Sequence, residues 1–267
     1  MGHGDSIVVT GAGGLVGRAV CAALSAQDCN VLAVVREEST FLDQKQLVAD
    51  LSKDPQLNER IDGRVSGVIH LDAAVPHSAK YPDTELFSNI TRQIDDNVLV
   101  AVRKWECPVV YMSTCGLYDR SSPEIKYESD SRLIKIESPY FAAKHDGETR
   151  FLSESKAVVL RLAAPIGAGL KRGLVVSRFV ELARNNQVLE VWGSGSREQN
   201  FIDAEDVANI ATRAVRDPQT GLFNVASGRP TTMLTLANTI VDVIGAGRVK
   251  TGVASDPREK DTARYSI

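Results

Sequence analysis

The segment T-G-A-G-G-L-V-G, Thr10 to Gly17, places Gly11, Gly14 and Gly17 between a β-branched run and an apolar-periodic stretch. At such a junction Gly11 makes a tight turn. Gly14 lets a pyrophosphate approach the backbone where Leu15 and Val16 open a helix, and Gly17 permits close helix–sheet packing. A glycine trio alone also suits a plain packing turn, but its place inside a β-α-β unit favours dinucleotide binding. In such units the second strand ends beside the adenosine ribose, where an acid suits a free 2′-hydroxyl and an arginine suits a 2′-phosphate. Here that strand runs into Arg36, followed by Glu37, Glu38 and Ser39. Arg36 therefore favours NADP, with Ser39 as a second donor. The alternative is NAD, with Arg36 stacked on the adenine and Glu37 on the ribose.

Further along, Tyr140-Phe-Ala-Ala-Lys144 sets a phenol and an ammonium on one face of a predicted helix, one turn apart. A free tyrosine is a poor base at neutral pH, and an adjacent cation favours its phenolate. The pair is thus suited to proton exchange in hydroxyl-to-carbonyl chemistry. With six tyrosines in the chain a chance Y-x-x-x-K is unsurprising, so its position after the fifth strand carries the weight.

The elements that must hold these groups follow from periodicity. Ser6–Thr10, Val31–Val35, Gln46–Ala49, Val65–Leu71, Pro108–Ser113 and Ala157–Leu162 read as strands. Gly14–Gln27, Pro55–Ile61, Asp83–Trp105 and Tyr140–Ser153 read as the helices between them. This alternation predicts an α/β fold, a doubly wound parallel sheet with right-handed crossovers. Beyond Pro165 come a helix over Leu174–Asn185, a strand over Val188–Trp192, a helix over Asp203–Arg216, a strand over Gly221–Val225 and a helix over Thr232–Ile244. These pieces look too few for an independent core. They are expected to form a small cap over the carboxyl ends of the strands. The division anticipated is 1–165 for the dinucleotide-binding domain, with 200–220 packing back onto it, and 166–199 plus 221–267 for the cap.

Composition sets outer limits. The chain has 267 residues, 43% hydrophobic, 24% charged, with a net charge of −3. That balance argues against nucleic-acid binding through bulk positive potential. No apolar run approaches the roughly 18 residues of a membrane span, and M-G-H-G-D-S has no leader character, so a cytoplasmic protein is expected. The four cysteines, Cys21, Cys29, Cys107 and Cys115, match no zinc or redox spacing; reduced thiols and no metal site are expected.

Taken together, T-G-A-G-G-L-V-G, V-I-H-L at Val68–Leu71, M-S-T-C-G-L-Y at Met112–Tyr118, Y-F-A-A-K and the late G-S-G-S-R-E-Q-N-F-I-D-A-E-D-V-A resemble the extended short-chain dehydrogenase/reductase family. More narrowly, the chain is similar to its NAD(P)-dependent epimerase/dehydratase branch, which acts mainly on nucleotide-diphosphate sugars. The resemblance runs from Ile7 to about Ala237. It implies a Rossmann fold with a small C-terminal substrate-binding cap and, through the helices near Asp83–Trp105 and Tyr140–Ser153, a homodimer.

By the same resemblance Thr114 is the catalytic Ser/Thr that hydrogen-bonds the reacting sugar oxygen, and Tyr140 the acid/base. Lys144 lowers the Tyr140 pKa and binds the nicotinamide ribose. Asp50 and Leu51 match the adenine-side pair, Leu71 and Ala73 lie beside the cofactor, and Asn97 is a helix residue near it. The chain also departs from the pattern. Cys115-Gly116 stand where the 4,6-dehydratases carry an Asp-Glu pair, so elimination is not expected. Ala164 replaces an asparagine and Gln199 an arginine that face the substrate's diphosphate, with Arg197 a possible substitute. Asp72 occupies a usually small position, and relatives usually continue past the position of Ile267 through a further helix, so either the cap is small or part of it lies outside this sequence. His70 is expected to be structural, His77 and His145 are either substrate-reaching groups or plain loop and helix-surface histidines, the commoner case, and Cys115 is either a core thiol or an extra acid/base. The leading expectation is a nucleotide-sugar epimerase working through a keto intermediate. The alternatives are an NADPH-dependent reductase of a keto-sugar or related carbonyl, and a non-catalytic redox sensor.

Overall fold

A computed structural model describes residues 5–75 and 85–267. The first half alternates as its β-branched runs dictate: β1 (Ser6–Thr10), α1 (Leu15–Ser25), β2 (Asn30–Val35), β3 (Lys45–Val48), β4 (Val65–His70), α2 (Glu85–Trp105), β5 (Val109–Thr114), α3 (Pro139–Leu152) and β6 (Ala157–Leu162). The second half adds β7 (Ala164–Ile166), α4 (Val175–Arg184), β8 (Val188–Val191), β9 (Glu198–Gln199), β10 (Phe201–Asp203), α5 (Ala204–Arg216), β11 (Gly221–Val225), β12 (Thr231–Thr232), α6 (Met233–Ile244) and β13 (Arg248–Thr251).

Seven strands form one parallel sheet in the order β11-β6-β5-β4-β1-β2-β3. Strand alternation sends Ile7 and Val9 of β1 to one face, where they meet Val20 and Leu24 of α1 and Val207 and Ala211 of α5. Val8 points the other way, into the layer formed with Val98 and Val102 of α2 and Phe151 of α3. Both faces are therefore covered, which is why the strands read as nearly continuous apolar runs. The strand order reverses between β1 and β4, so the carboxyl ends of these strands open a crevice at the glycine turn.

Helix ends are set by local chemistry. Ser138 caps α3 by accepting from the Phe141 N–H, with Pro139 in the first turn. Asp203 caps α5 by accepting from the Glu205 N–H; Glu205 and Asp206 follow in the first turn, Arg213 and Arg216 in the last, matching the helix dipole.

Three expectations are corrected. The helix over Pro55–Ile61 shrinks to a 3-10 turn at Leu57–Glu59, because Leu57 alone is fully buried there and Arg60 is drawn to the Val48 carbonyl and Asp54. Gly221–Val225, anticipated in the cap, is β11 and pairs with β6 at the edge of the main sheet. The elements outside the sheet also have a core of their own, formed by Phe179, Ala183, Leu189, Val191, Met233, Ala237 and Ile240, with β13 paired to β8. Asp83, anticipated to start α2, and His77 lie outside the described residues.

Candidate active site

The turn after β1 is built on two glycines that admit no side chain. Gly11 has φ +65°, and a Cβ there would lie 2.9 Å from the Asp72 backbone nitrogen. At Gly17 a Cβ would run into the Gly11 carbonyl and stand 2.7 Å from Ala12 Cα. Gly14 is the N-cap of α1 and makes no side-chain cap; the first turn, with Leu15 and Val16, holds no acidic residue. Gly13 and Gly14 are exposed. The helix thus presents its first backbone N–H groups uncapped by any side chain, which fits the diphosphate of a dinucleotide.

Just past the end of β2, Arg36, Glu37 and Glu38 are all exposed. Ser39 is engaged locally, its N–H donating to Gln46 Oε1 and its hydroxyl accepting from the Phe41 N–H. Asp50 follows β3. Hydrogen bonds from the Ser52 hydroxyl and the Lys53 ammonium pull its pKa down to about 2. Leu51 is buried, and Asn97 Nδ2 donates to its carbonyl at 2.7 Å, so Asn97 pins the backbone that follows β3. Leu71 and Ala73 are half-buried beyond β4; the Leu71 and Asp72 N–H groups donate to Thr10 Oγ1, tying this segment to the glycine turn.

Thr114 closes β5. Its Oγ1 accepts from the Gly116 N–H at 3.0 Å, which leaves its own proton for another acceptor. A Cβ at Gly116 would sit 2.7 Å from the Phe141 ring, so glycine lets the end of β5 close against the start of α3. Tyr140 is half-buried on that first turn of α3. Lys144, one turn later, is 3% exposed, with Nζ 3.9 Å from the centre of the Tyr111 ring. Burial lowers the Lys144 pKa, and the charges of Asp95, Glu148 and Asp72 oppose that shift. Behind it Glu148 is held by a bidentate pair with Arg161, at 2.8 and 2.7 Å, and by the Ser113 hydroxyl at 2.6 Å.

Cys115 is buried, its thiol donating to the Arg161 carbonyl; burial raises its pKa, so it is a core thiol. His145 is half-buried, next to Lys144 in α3. His70 is fully buried between Thr10 and Asp95.

Ala164 opens β7, Gln199 ends β9 and Arg197 directly precedes β9. The Ala164 N–H donates to the Asn200 carbonyl, and Gln199 Oε1 accepts from Arg120 Nη2 at 2.8 Å. Arg197 Nε and Arg120 Nε are buried and make no hydrogen bond among the described residues; their carboxylates, Asp256 and Asp261, stand off at 3.6 and 3.8 Å. Burial, then the charges of Arg258 and Arg120, hold the Arg197 pKa below the usual guanidinium range. Sequence reasoning missed Asp95, Tyr111, Arg120 and Arg258, since no local spacing links them to the motifs.

A parallel sheet of this order, a glycine-rich turn at its switch point and a Tyr/Lys helix beside β5 define a Rossmann-type nicotinamide-dinucleotide enzyme. The model of the NAD dependent epimerase/dehydratase family matches residues 7–226, and the chain belongs to that family, within the extended short-chain dehydrogenases/reductases. It is similar to a dTDP-4-dehydro-6-deoxy-D-allose reductase of a Streptomyces species, 25% identical over 91% of this chain and 82% of that protein. It is also similar to a 2-alkyl-3-oxoalkanoate reductase of Stenotrophomonas maltophilia, 28% identical over 93% of this chain and 78% of that one. Among solved structures, a UDP-N-acetylglucosamine 4-epimerase from Methanobrevibacter ruminantium, in complex with UDP-N-acetylmuramic acid, shares the fold. Its TM-score is 0.84 and its identity 21%, over 99% of this chain and 89% of that one. The protein is an NAD(P)-dependent enzyme. No described helix is long and apolar enough to cross a membrane.

Proposed function

We propose that the protein reduces a keto group on a nucleotide-linked sugar with NADPH, using Thr114, Tyr140 and Lys144. The observation that carries this reading is the meeting of β5 and α3 at Gly116 and Phe141, which brings Thr114 to the turn of α3 that holds Tyr140, above the buried Lys144. The reduced nicotinamide, when bound, supplies the hydride that adds to the carbonyl carbon. Tyr140 Oη gives its proton to the carbonyl oxygen, and Thr114, whose oxygen is already accepting from Gly116, donates a hydrogen bond to that same oxygen. Lys144 favours the phenolate left behind and holds the nicotinamide ribose; solvent then reprotonates Tyr140. Gly11, Gly14, Leu15, Val16 and Gly17 hold the diphosphate, with Asp50 and Leu51 on the adenine and Leu71 and Ala73 beside the nicotinamide half.

Exposed Arg36, just past the end of β2, supports NADPH over NADH, and the two relatives described above are named reductases. In the substrate half, the buried and unsatisfied Nε atoms of Arg197 and Arg120 support binding of an anionic group, such as a diphosphate, alongside Ala164 and Gln199. The family match favours a second reading, the epimerase, in which the hydride is returned to the other face of the sugar and the cofactor is regenerated in each cycle. Absorbance at the reduced nicotinamide band separates the two. Consumption of NADPH in proportion to product supports the reductase. Turnover with cofactor only stoichiometric to enzyme overturns it in favour of the epimerase. We also propose a homodimer through α2 and α3, which light scattering at micromolar concentration tests against the monomer mass.

A further inference from the structure

Beneath the Tyr140/Lys144 turn runs a buried polar chain that the reaction as described does not use. Thr10 Oγ1 lies 2.6 Å from His70 Nδ1, His70 Nε2 lies 3.0 Å from Asp95 Oδ1, and the Tyr111 hydroxyl donates to Asp95 Oδ2 at 3.0 Å. Lys144 Nζ stands over the Tyr111 ring at 3.9 Å. Thr10, Asp95 and Tyr111 are 0% exposed, His70 1% and Lys144 3%.

The hydrogen-bond directions are determined. Thr10 Oγ1 accepts from the Leu71 and Asp72 N–H groups, so both lone pairs are used and its one proton goes to His70 Nδ1. Nδ1 is then an acceptor, and the ring proton sits on Nε2, donated to Asp95. Among the described residues Asp95 thus accepts from two donors, His70 and Tyr111, neither of which is a fixed cation. A buried carboxylate needs an opposite charge, and a buried ammonium needs the same. Tyr111 lies between them, its ring facing Lys144 and its hydroxyl facing Asp95; a phenol that donates to a carboxylate presents a more electron-rich ring to a cation.

The approach is built in. A Cβ at Gly147, on the same helix as Lys144, would overlap the Tyr111 hydroxyl and sit 2.7 Å from Asp95 Oδ2, so glycine there lets α3 settle onto this pair. Among the described residues, the other charged groups that act on Lys144 are Glu148 and Asp72. Glu148, on its own helix, is engaged by Arg161 and Ser113. Asp72, beyond β4, is half-buried, and Tyr140 is the group that Lys144 serves.

We propose that Asp95, acting through Tyr111, is a positioning residue that holds Lys144 as an ammonium beneath Tyr140, and that His70 and Thr10 fix this seat to the glycine turn. The proposal rests on the assignment of Tyr140 and Lys144 made under Proposed function, but its test does not require turnover.

Protein carrying 15N-labelled lysine is titrated without cofactor from neutral to alkaline pH, the Lys144 Nζ resonance being the one lost in Lys144→Met. In the wild type Nζ is an ammonium at neutral pH. In Asp95→Asn its midpoint falls by about one pH unit or more, the scale of a removed opposite charge at close range. Asp95→Ser, smaller and also uncharged, shifts it in the same direction. Equal midpoints in either folded variant overturn the proposal. A neutral wild-type amine at pH 7 does so even if both variants fail to fold. Cofactor affinity, read by nicotinamide fluorescence, is measured in parallel. Absence of binding to the wild type would bring down the functional reading while leaving the Lys144 titration to be judged on its own.

Discussion

Gly17→Ala tests whether the cofactor turn is built as tightly as its geometry implies. In an ordinary helix interior this change stabilises by about 1 kcal/mol, because alanine is the better helix former. Here the new Cβ would collide with the Gly11 carbonyl and stand 2.7 and 2.8 Å from Ala12 Cα and C. All of these are backbone atoms, which have no rotamer to yield. Inserting a methyl group into a packed site costs about 1–3 kcal/mol, enough to cancel the propensity gain and reverse its sign. For a chain of this size each 1 kcal/mol moves the thermal midpoint by roughly 2–4 °C. A lower melting temperature is therefore expected, measured by circular dichroism. The relief available is to move α1 away from the turn, which displaces the Leu15 and Val16 amides, so NADPH affinity should fall at least about tenfold, or ~1.4 kcal/mol. Gly13→Ala is the stability control, since its Cβ would meet nothing among the described residues nearer than Val35 Cγ1 at 3.9 Å. It should leave the melting temperature unchanged. A Gly17→Ala protein that melts at or above the wild-type temperature and binds NADPH equally well would refute the reasoning.

Tyr140→Phe should lower kcat by about 10²–10⁴ while cofactor affinity stays within a few-fold, because the ring remains and only the ionisable oxygen goes; an unchanged kcat would remove Tyr140 from the reaction. Lys144→Met should impair both kcat and cofactor affinity, as the ammonium serves phenol and ribose together. Arg36→Asp should weaken NADP binding far more than NAD binding, since it sets a like charge against the 2′-phosphate; equal losses in parallel titrations would mean that Arg36 only stacks on adenine. Glu148→Ala strands the Arg161 guanidinium, 4% exposed, and should cost about 3–5 kcal/mol in urea unfolding. Replacing Arg161 by leucine in that background should restore much of the loss, and a further drop would show that the pair is not the source.

Much of the fold was legible because its signals are local. A buried parallel strand favours a short apolar run, and Ala157–Leu162, interrupted only by Arg161, shows one with the bounds that β6 takes in the structure. The turn between β1 and α1 was legible for the same reason: a left-handed φ at Gly11 and the contact at Gly17 are demands that only glycine meets, so they leave a mark in spacing. Tyr140 and Lys144 share a helix face because the helical period puts residues one turn apart on one side. The short strands β7, β9, β10, β12 and β13 left no such mark. Each is two to four residues long, β7 even contains Pro165, and pairing with a distant partner creates them.

What the sequence by itself determined is the class of fold, the place of the cofactor turn and the pairing of a phenol with an ammonium on one helix. All three follow from backbone preferences and periods that act within a few residues. Only the tertiary structure decided that β11 completes the sheet instead of joining the cap. It alone brought Thr10, His70, Asp95 and Tyr111 together from β1, β4, α2 and β5, and set Arg120 beside Gln199 and Arg197. These contacts depend on where crossovers return the chain and on which small residues, such as Gly116 and Gly147, let two elements close. Burial then fixed their chemistry, since a carboxylate and an ammonium removed from water must answer one another, and no local pattern records which pair will meet.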